Sequence, residues 1–358
     1  METQSACCDG AKASSPTGLF FSMPSIHIPV LLEPIFTHWL DGLLPETQDR
    51  DPLVIVDGTF GGGGHALEIA KRLRAGDCIV GIDRDPQAIL QFIALHPEFH
   101  VSKFQMPEGL TGWSPYGMVL PSGCQLWLSC GSYCNLSELL AGLRIPSVHG
   151  ILLDLGLSSD QLADQQRGFS FRVDAPLDLR FDPTGGIPAF KWLEHHSEKE
   201  IADAIYQFGE ERFSRRIARA IIEQNRTSPI ETSKQLADLI HRILPGRVHG
   251  RVDSATRTFQ ALRIVVNREL EHVQAALERL PSTLHLSQGG LDNSAKPPAG
   301  RLAIISFHSL EDRLVKNAMR DDPRLKNLTK KPLVASEAEI AANPRSRSAK
   351  LRIAERQA

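Results

Sequence analysis

The stretch Val54-Ile55-Val56-Asp57-Gly58-Thr59-Phe60-Gly61-Gly62-Gly63-Gly64-His65 constrains this chain more than any other. An apolar, β-branched run ends in a carboxylate. A glycine-dense turn follows, and a helical stretch continues from Ala66 to Leu73. Strand, tight turn and helix in that order build nucleotide-type binding sites in open α/β sheets. Glycine lets the backbone approach a ligand closely and take φ above zero. The start of the helix offers N–H groups that lack intrahelical partners.

The ligand class follows from what the turn is not. It fits a dinucleotide G-x-G-x-x-G only loosely, and His65-Ala66 stands where a P-loop needs Gly-Lys-Ser/Thr. An acid at the strand end suits a ligand with a charged amino-acid end, such as S-adenosylmethionine. A second strand, Cys78-Ile79-Val80-Gly81-Ile82-Asp83, also ends in a carboxylate. A carboxylate there takes ribose hydroxyls in NAD enzymes and methyltransferases alike. An NAD-dependent oxidoreductase therefore stays open at this point, although no hydride-site histidine or tyrosine–lysine pair stands out.

Further strands are expected at Gln125–Ser129, Gly150–Leu155 and Leu302–Phe307. Helices are expected at Pro86–Leu95, Leu136–Leu143, Glu269–Leu280 and Leu310–Met319. Alternating short strands and helices give an α/β fold with a doubly wound sheet. Residues 166–260 differ in character: they read as helical and arginine-rich, with Glu200–Phe208, Glu211–Gln224 and Thr232–Ile243 as examples. The reading is a mobile N-terminal tail (1–24), a first sheet-domain part (25–165), an inserted helical substrate-recognition domain (166–260), and a second sheet-domain part with a C-terminal tail (261–358). Residues 97–123, rich in Pro, Gly and aromatics, read as a surface excursion without clear period. Residues 287–300 read as a polar loop.

Composition narrows the function classes. With 358 residues and a net charge of -2, the chain has no global basic signature, so any nucleic-acid surface must be a local patch. The six cysteines form no Cys-x-x-Cys pair, which argues against a zinc ribbon or a redox motif. They fit a reducing compartment, so a cytoplasmic protein without a metal is expected. No apolar stretch reaches bilayer length, so no membrane partner is expected.

Candidate site residues lie at strand ends and on one helix. The run Gly150 to Leu162 places Asp154 at the end of a strand facing the same crevice as Asp57 and Asp83. Its carboxylate or backbone carbonyl can accept a hydrogen bond from an exocyclic amine; closing a turn is the plainer role. Arg212, Arg215, Arg216 and Arg219 share one helix face, with Arg247, Arg251, Arg257, Arg263 and Arg268 further on. Such a face grips phosphates or simply meets solvent. Phe169 and Phe171 lie between Arg167 and Arg172, suited either to holding a splayed-out base or to a core. After the last strand, Ser309 is expected to cap a helix with Asp312 at N3, and His308 is a second-rank cleft candidate.

Together these strings resemble the bacterial ribosomal RNA small-subunit methyltransferase H family. The likeness runs from His27-Ile28-Pro29-Val30-Leu31-Leu32 through Asp57–His65, Gly81–Pro86 and Gly150–Leu162. It continues through Arg167–Asp182, Gly209–Phe213, Ala255–Arg263, Ser306–Arg313 and Asn343–Ser348. The resemblance implies a class I S-adenosylmethionine-dependent methyltransferase fold, Rossmann-like, with an inserted helical domain. It implies methyl transfer from S-adenosylmethionine to the N4 amine of a cytosine in the decoding region of 16S rRNA. The implied cofactor contacts are Gly63, Gly64, His65, Asp83, Tyr133, Asp154 and Gln161. Tyr133 stands where the family usually has Phe, and Asp160 where it often has Pro. Asp154 is the implied catalytic candidate; Arg215, Arg216, Arg219 and Arg257 are the RNA-binding candidates. The implied partner is 16S rRNA within the small ribosomal subunit, with a homodimer left open. A non-catalytic RNA-binding assembly factor is the rival that would use the same basic helix face.

Overall fold

The central strands are continuous apolar runs because helices cover both faces of the sheet. The computed structural model describes residues 29–44, 50–105, 113, 115–157, 161–162, 164, 166–244, 253–287 and 298–358. Helix α1 (Leu32–Ile35) continues as a π turn at Phe36–Leu40. Then come β1 (Val54–Asp57), α2 (Gly64–Ala70), β2 (Cys78–Asp83) and α3 (Pro86–Leu95). Strands β3 (Ser102–Lys103), β4 (Tyr116–Val119) and β5 (Gln125–Cys130) precede α4 (Leu136–Gly142) and β6 (Gly150–Asp154). Helices α5 (Ala189–His195), α6 (Glu198–Gly209), α7 (Ser214–Thr227), α8 (Ser233–Ile243) and α9 (Thr256–Asn267) follow. The chain returns to the sheet through α10 (Glu269–Arg279), β7 (Arg301–Ser306) and α11 (Ser309–Asp321). It ends with β8 (Leu325–Asn327), α12 (Glu337–Ala342) and β9 (Lys350–Arg356).

The strands form one nine-stranded sheet in the order β3-β4-β5-β2-β1-β6-β7-β9-β8. Neighbours from β5 to β7 are parallel, and both margins are antiparallel. Alternate residues of each central strand point to opposite faces. Ile55, Ile79, Leu152 and Ile305 pack on one face, with Trp39 from the π turn and Ile69 and Phe92 from α2 and α3. Val56, Val80, Leu153 and Ile304 pack on the other, with Leu139, Val273 and Val315 from α4, α10 and α11.

Between β6 and β7, α5 to α9 build a separate core around Leu193, Ile205, Ile217, Ile240 and Leu262. Capping boxes at Ser197–Glu200 and Thr232–Gln235 start α6 and α8. Helices α6 and α9 approach closely at Gly209, where an added Cβ would stand 2.4 Å from the Arg257 carbonyl oxygen.

Several expectations meet a different outcome. The proposed boundary at 260 falls inside α9, which stays helical to Asn267 because Ala261 and Leu262 are buried in the helical core. Residues 97–123 are more than a surface excursion: Tyr116–Val119 pairs with β5, and its partner register buries Gly117 and Met118. The segment read as a C-terminal tail contains β9, paired between β7 and β8. Its charges hid it, and they are matched in the fold: Arg352 Nε donates to Asp312 at 2.7 Å, and Arg301 Nε to Glu355 at 2.9 Å. The 1–24 tail, Arg247, Arg251, Ser158, Ser159, Asp160 and most of the 287–300 loop lie outside the described residues.

The Gly209 approach gives a stability test. Gly209→Ala puts a methyl group against a backbone oxygen that cannot swing away, so overpacking should cost about 1–3 kcal/mol. Urea unfolding of the two proteins measures this, and equal midpoints would contradict the close approach.

Candidate functional site

Strand order places the site. β1 sits between β2 and β6; the chain winds outward to β5 on one side and to β7 on the other. The crevice beyond the carboxyl ends of β1 and β6 is therefore the switch point, where open α/β sheets bind ligands. Asp57 pairs with Gly81 on β2 and with Leu152 on β6. Asp83 and Asp154 each stand two residues further along, so three carboxylates crowd one sheet edge.

The turn after β1 is pinned to both neighbours. The Gly58 N–H donates to Leu152 O and the Phe60 N–H to Ile82 O, each at 2.9 Å. The Asp154 N–H donates to Thr59 Oγ1 at 2.6 Å. Gly63 then takes φ 75°, and an added Cβ would lie 2.6 Å from the Phe92 ring. That position admits only glycine, because both the backbone angle and the packing exclude a side chain.

A cleft of about 870 Å³, counted to its open mouth, lies over these strand ends. Gly64, His65, Asp83, Tyr133, Asp154 and Gln161 line it together. Gly63 does not; it shapes the turn beneath. Arg84, Phe181, Glu269 and Glu311 line it too and escaped the sequence reading. Arg84 follows Asp83 directly, and Glu311 stands one helical turn after His308, so both carried a positional signal. Phe181 comes from the helical segment and Glu269 from the start of α10, and neither carried one.

Each carboxylate has a distinct environment. Asp83 Oδ2 accepts the Gly61 N–H at 2.7 Å and Oδ1 the Asp85 N–H at 2.8 Å. Burial nevertheless pushes its carboxyl up to about 6. A carboxylate has about four lone-pair sites, so acceptor capacity remains for ligand hydroxyls. Asp57 lies just below the cleft floor, 1% exposed. Its Oδ1 accepts the Thr59 N–H at 3.2 Å, and its buried Oδ2 has no hydrogen-bond partner among the described residues. Burial raises this carboxyl to about 6, with Asp154 and Asp83 adding to the effect and His65 opposing it. His65 Nε2 lies 2.9 Å from the Val30 carbonyl, which can only accept, so Nε2 carries the proton. Its Nδ1 stands 3.9 Å from Asp154 Oδ2. Burial pushes the Tyr133 hydroxyl up, so it stays neutral.

The far wall holds a buried ionic group. Arg263 grips Glu269 with two hydrogen bonds, at 2.8 and 2.9 Å. His308 Nε2 lies 3.0 Å from Glu311 Oε1. The helix cap differs from expectation: His308 Nδ1 accepts the Glu311 N–H at 3.4 Å, whereas Ser309 Oγ donates to Glu210 at 2.9 Å. Asp312 is drawn instead to Arg352.

The helical segment is tied directly to the β2 end. Arg167, 9% exposed, donates from Nη1 to Asp85 Oδ2 at 2.5 Å. Arg84 donates to the Asn267 carbonyl at 3.1 Å, and the Phe181 N–H to Asn267 Oδ1 at 2.7 Å. Phe169 is buried against Phe181, and Phe171 packs on Phe259, so both serve the helical core. Arg215, Arg216 and Arg219 lie exposed on α7, outside the cleft lining. Arg219 stands 3.6 Å from Glu198. Arg257 is on α9, donating to the Glu210 carbonyl at 3.2 Å.

The buried Asp57 charge gives a signed prediction. A carboxyl raised from 3.8 to about 6 favours folding below 3.8, and that contribution is lost as pH rises through about 6. The stability of wild type minus that of Asp57→Asn should therefore fall across this window by about 2–3 kcal/mol, at 1.36 kcal/mol per unit. Chemical denaturation at several pH values reads it; a pH-independent difference would refute the buried charge.

The comparisons with known proteins fit this geometry. The family model described as the MraW methylase family matches residues 24–105 and 123–357; the unmatched gap falls in the 97–123 segment. A protein named ribosomal RNA small subunit methyltransferase H from Rhodopirellula baltica is 45% identical over 317 residues, covering 86% of this chain and 87% of that one. Proteins of the same name from Synechococcus elongatus and Neisseria meningitidis serogroup B are each 42% identical. The first covers 92% of this chain and 94% of its own length, the second 88% and 92%. With the match spanning the sheet, the cleft and the helical segment alike, the chain belongs to the MraW methylase family.

Proposed function

We propose that this protein transfers a methyl group from S-adenosylmethionine to the N4 amine of a cytosine in the decoding region of 16S rRNA. The observation that carries the reading is the acidic cleft at the switch point, with Asp83 and Asp154 on its walls. The names of the relatives, rRNA small subunit methyltransferases, supply the substrate class.

The residues present fit S-adenosylmethionine. Asp57 Oδ2 is a buried acceptor lacking a donor beside the cleft, suited to a cationic amino-acid end. Asp83 has spare lone pairs for ribose hydroxyls at the end of β2. Asp83, Asp154, Glu269 and Glu311 on the walls disfavour the pyrophosphate of a dinucleotide. When bound, S-adenosylmethionine supplies a methyl group already activated on a sulfonium. The protein's task is alignment and exclusion of water, worth several kcal/mol and on the order of 7–11 in ideal systems. Gly64, His65, Tyr133 and Gln161 enclose the cofactor end of the cleft. Asp154 orients the exocyclic amine and steadies the charge growing on it.

The helical segment from 166, carried on to Asn267 by α9, is the RNA-recognition unit in this reading. Its exposed α7 arginines offer partners for phosphates in a chain of net charge -2. Arg257 holds the Glu210 turn and so contributes at the edge of that surface.

Asp83→Ala should weaken S-adenosylmethionine binding by about 1–3 kcal/mol, the range for losing a charged hydrogen-bond partner. Wild-type affinity should also fall as pH drops through about 6, because the protonated Asp83 carboxyl loses acceptor strength. Calorimetry checks both, and unchanged affinity in the variant would remove the ribose assignment. Asp154→Ala should cut methyl transfer far more than it lowers stability; a near wild-type rate would end the amine-orienting role. Replacing Arg215, Arg216 and Arg219 by Ala should leave cofactor affinity intact. It should flatten the salt dependence of RNA binding by about one unit of slope for each phosphate no longer neutralised. An unchanged slope would place the RNA elsewhere.

A further inference from the structure

Methyl transfer to an amine releases a proton, and the roles assigned above leave it without a destination. Asp83 is assigned to ribose, Asp154 to the amine, and Tyr133 is held neutral by burial. His65 is assigned to the cofactor end, and the remaining carboxylates on the cleft wall are Glu269 and Glu311. They belong to one buried group with His308 and Arg263.

The strands place this group beside the reacting end. β6 and β7 are parallel neighbours, and Asp154 pairs with Ile305. Phe307 lies against the turn that follows Asp154: a Cβ on Gly156 would stand 2.6 Å from its ring. His308 and Glu311 come next in the chain, at the start of α11. The wall they form therefore adjoins the end of β6.

The two glutamates are not equivalent. Glu269 is gripped by Arg263 through both oxygens, and its charge is matched. Glu311 is 1% exposed. Its Oε2 accepts the Phe307 N–H at 2.9 Å, and Oε1 lies 3.0 Å from His308 Nε2, a contact without hydrogen-bond geometry. His308 Nδ1 is engaged as acceptor by the Glu311 N–H, so Nε2 is the ring nitrogen that carries a proton. The cluster thus holds two carboxylates against one arginine. Arg263 binds Glu269, so Glu311 is the carboxylate of the two with capacity to take up a proton. The same count argues against a divalent metal among Glu269, His308 and Glu311, whose ligand atoms lie within 4.8 Å of one another. Arg263 already fills the cation's place.

We propose that Glu311 accepts the proton released from the cytosine amine, with His308 as the residue that positions it. The inference rests on the methyl-transfer reading above. The N4 lone pair forms the nitrogen–carbon bond as the carbon–sulfur bond breaks and its electron pair goes to sulfur. The nitrogen then carries a positive charge and one proton too many; that proton goes to Glu311 Oε1 and passes to solvent once product has left, which restores the carboxylate. The charged and titratable groups facing Glu311 are His308 on its own element, Arg263 on α9, Glu269 on α10, and Tyr133 beyond β5.

The test compares wild type with Glu311→Gln, a nearly isosteric change, and with Glu311→Asp, which keeps the acid. Single-turnover methylation of small-subunit RNA is followed against pH, beside calorimetric affinities for S-adenosylhomocysteine and RNA. Glu311→Gln should lose about 10²–10⁴-fold in rate, the usual worth of a positioned base. Its two affinities should be unchanged, and the acid limb of the wild-type pH–rate profile should disappear. Glu311→Asp should keep that limb at a reduced rate, and it carries the test if the Gln variant fails to fold. A Gln variant as fast as wild type, or slow with the acid limb intact, overturns the proposal, as does an Asp variant without the limb. If wild type itself methylates no RNA, the parent reading fails first, and the proposal falls with it.

Discussion

The cleft depends on the parallel register that sets β1 two residues short of β2 and β6. That offset buries Asp57 beneath the floor and lifts Asp83 and Asp154 onto the walls. A slip of one residue would turn every side chain on β1 to the opposite face of the sheet and exchange its two packing layers. The register is held by the alternating apolar packing of both cores and by the hydrogen bonds of the Gly58–Phe60 turn to both neighbouring strands. Burying carboxyl groups at one sheet edge costs stability, as the raised carboxyls of Asp57 and Asp83 express. Such strain at a cleft is the usual mark of a binding site. A cationic ligand would relieve it.

The helical segment is not an appendage. Arg167 reaches Asp85, which also caps α3 by accepting the Gln87 N–H at 3.0 Å. Arg84, next to Asp83, is held by Asn267 at the end of α9. The buried Arg263–Glu269 pair joins α9 to the cleft wall. Losing one member of a buried pair leaves an uncompensated charge, which is strongly destabilising. Movement of the helical unit would therefore be felt at the β2 end of the cleft.

Much of this was legible in the chain. The apolar strands, the acids that end them and the glycine turn could be read because local residues decide them: buried parallel strands are continuous apolar runs, and the turn needs glycine. The cleft residues Asp83 and Asp154 followed from those ends, whereas Gly64, His65, Tyr133 and Gln161 were singled out by the family likeness. What could not be read depends on distant partners. β9 looks like a charged tail until Asp312 and Arg301 answer its Arg352 and Glu355. The cap of α11 looks like Ser309 because serine is the common choice; His308 holds it because Ser309 is drawn to Glu210. Glu269 reaches the cleft from the start of α10 and Phe181 from the helical segment, and no local pattern marks them. Phe169 and Phe171 look ready to stack on a base, but the helical core claims both.

The central claim is methylation of one exocyclic cytosine amine. Its most direct test is nucleoside mass mapping of small-subunit RNA after incubation with the protein and isotopically labelled S-adenosylmethionine. The account predicts label in N4-methylcytidine at a single position of the decoding region. Label on carbon, on a ribose hydroxyl or on another base, or no label in the RNA at all, would contradict it.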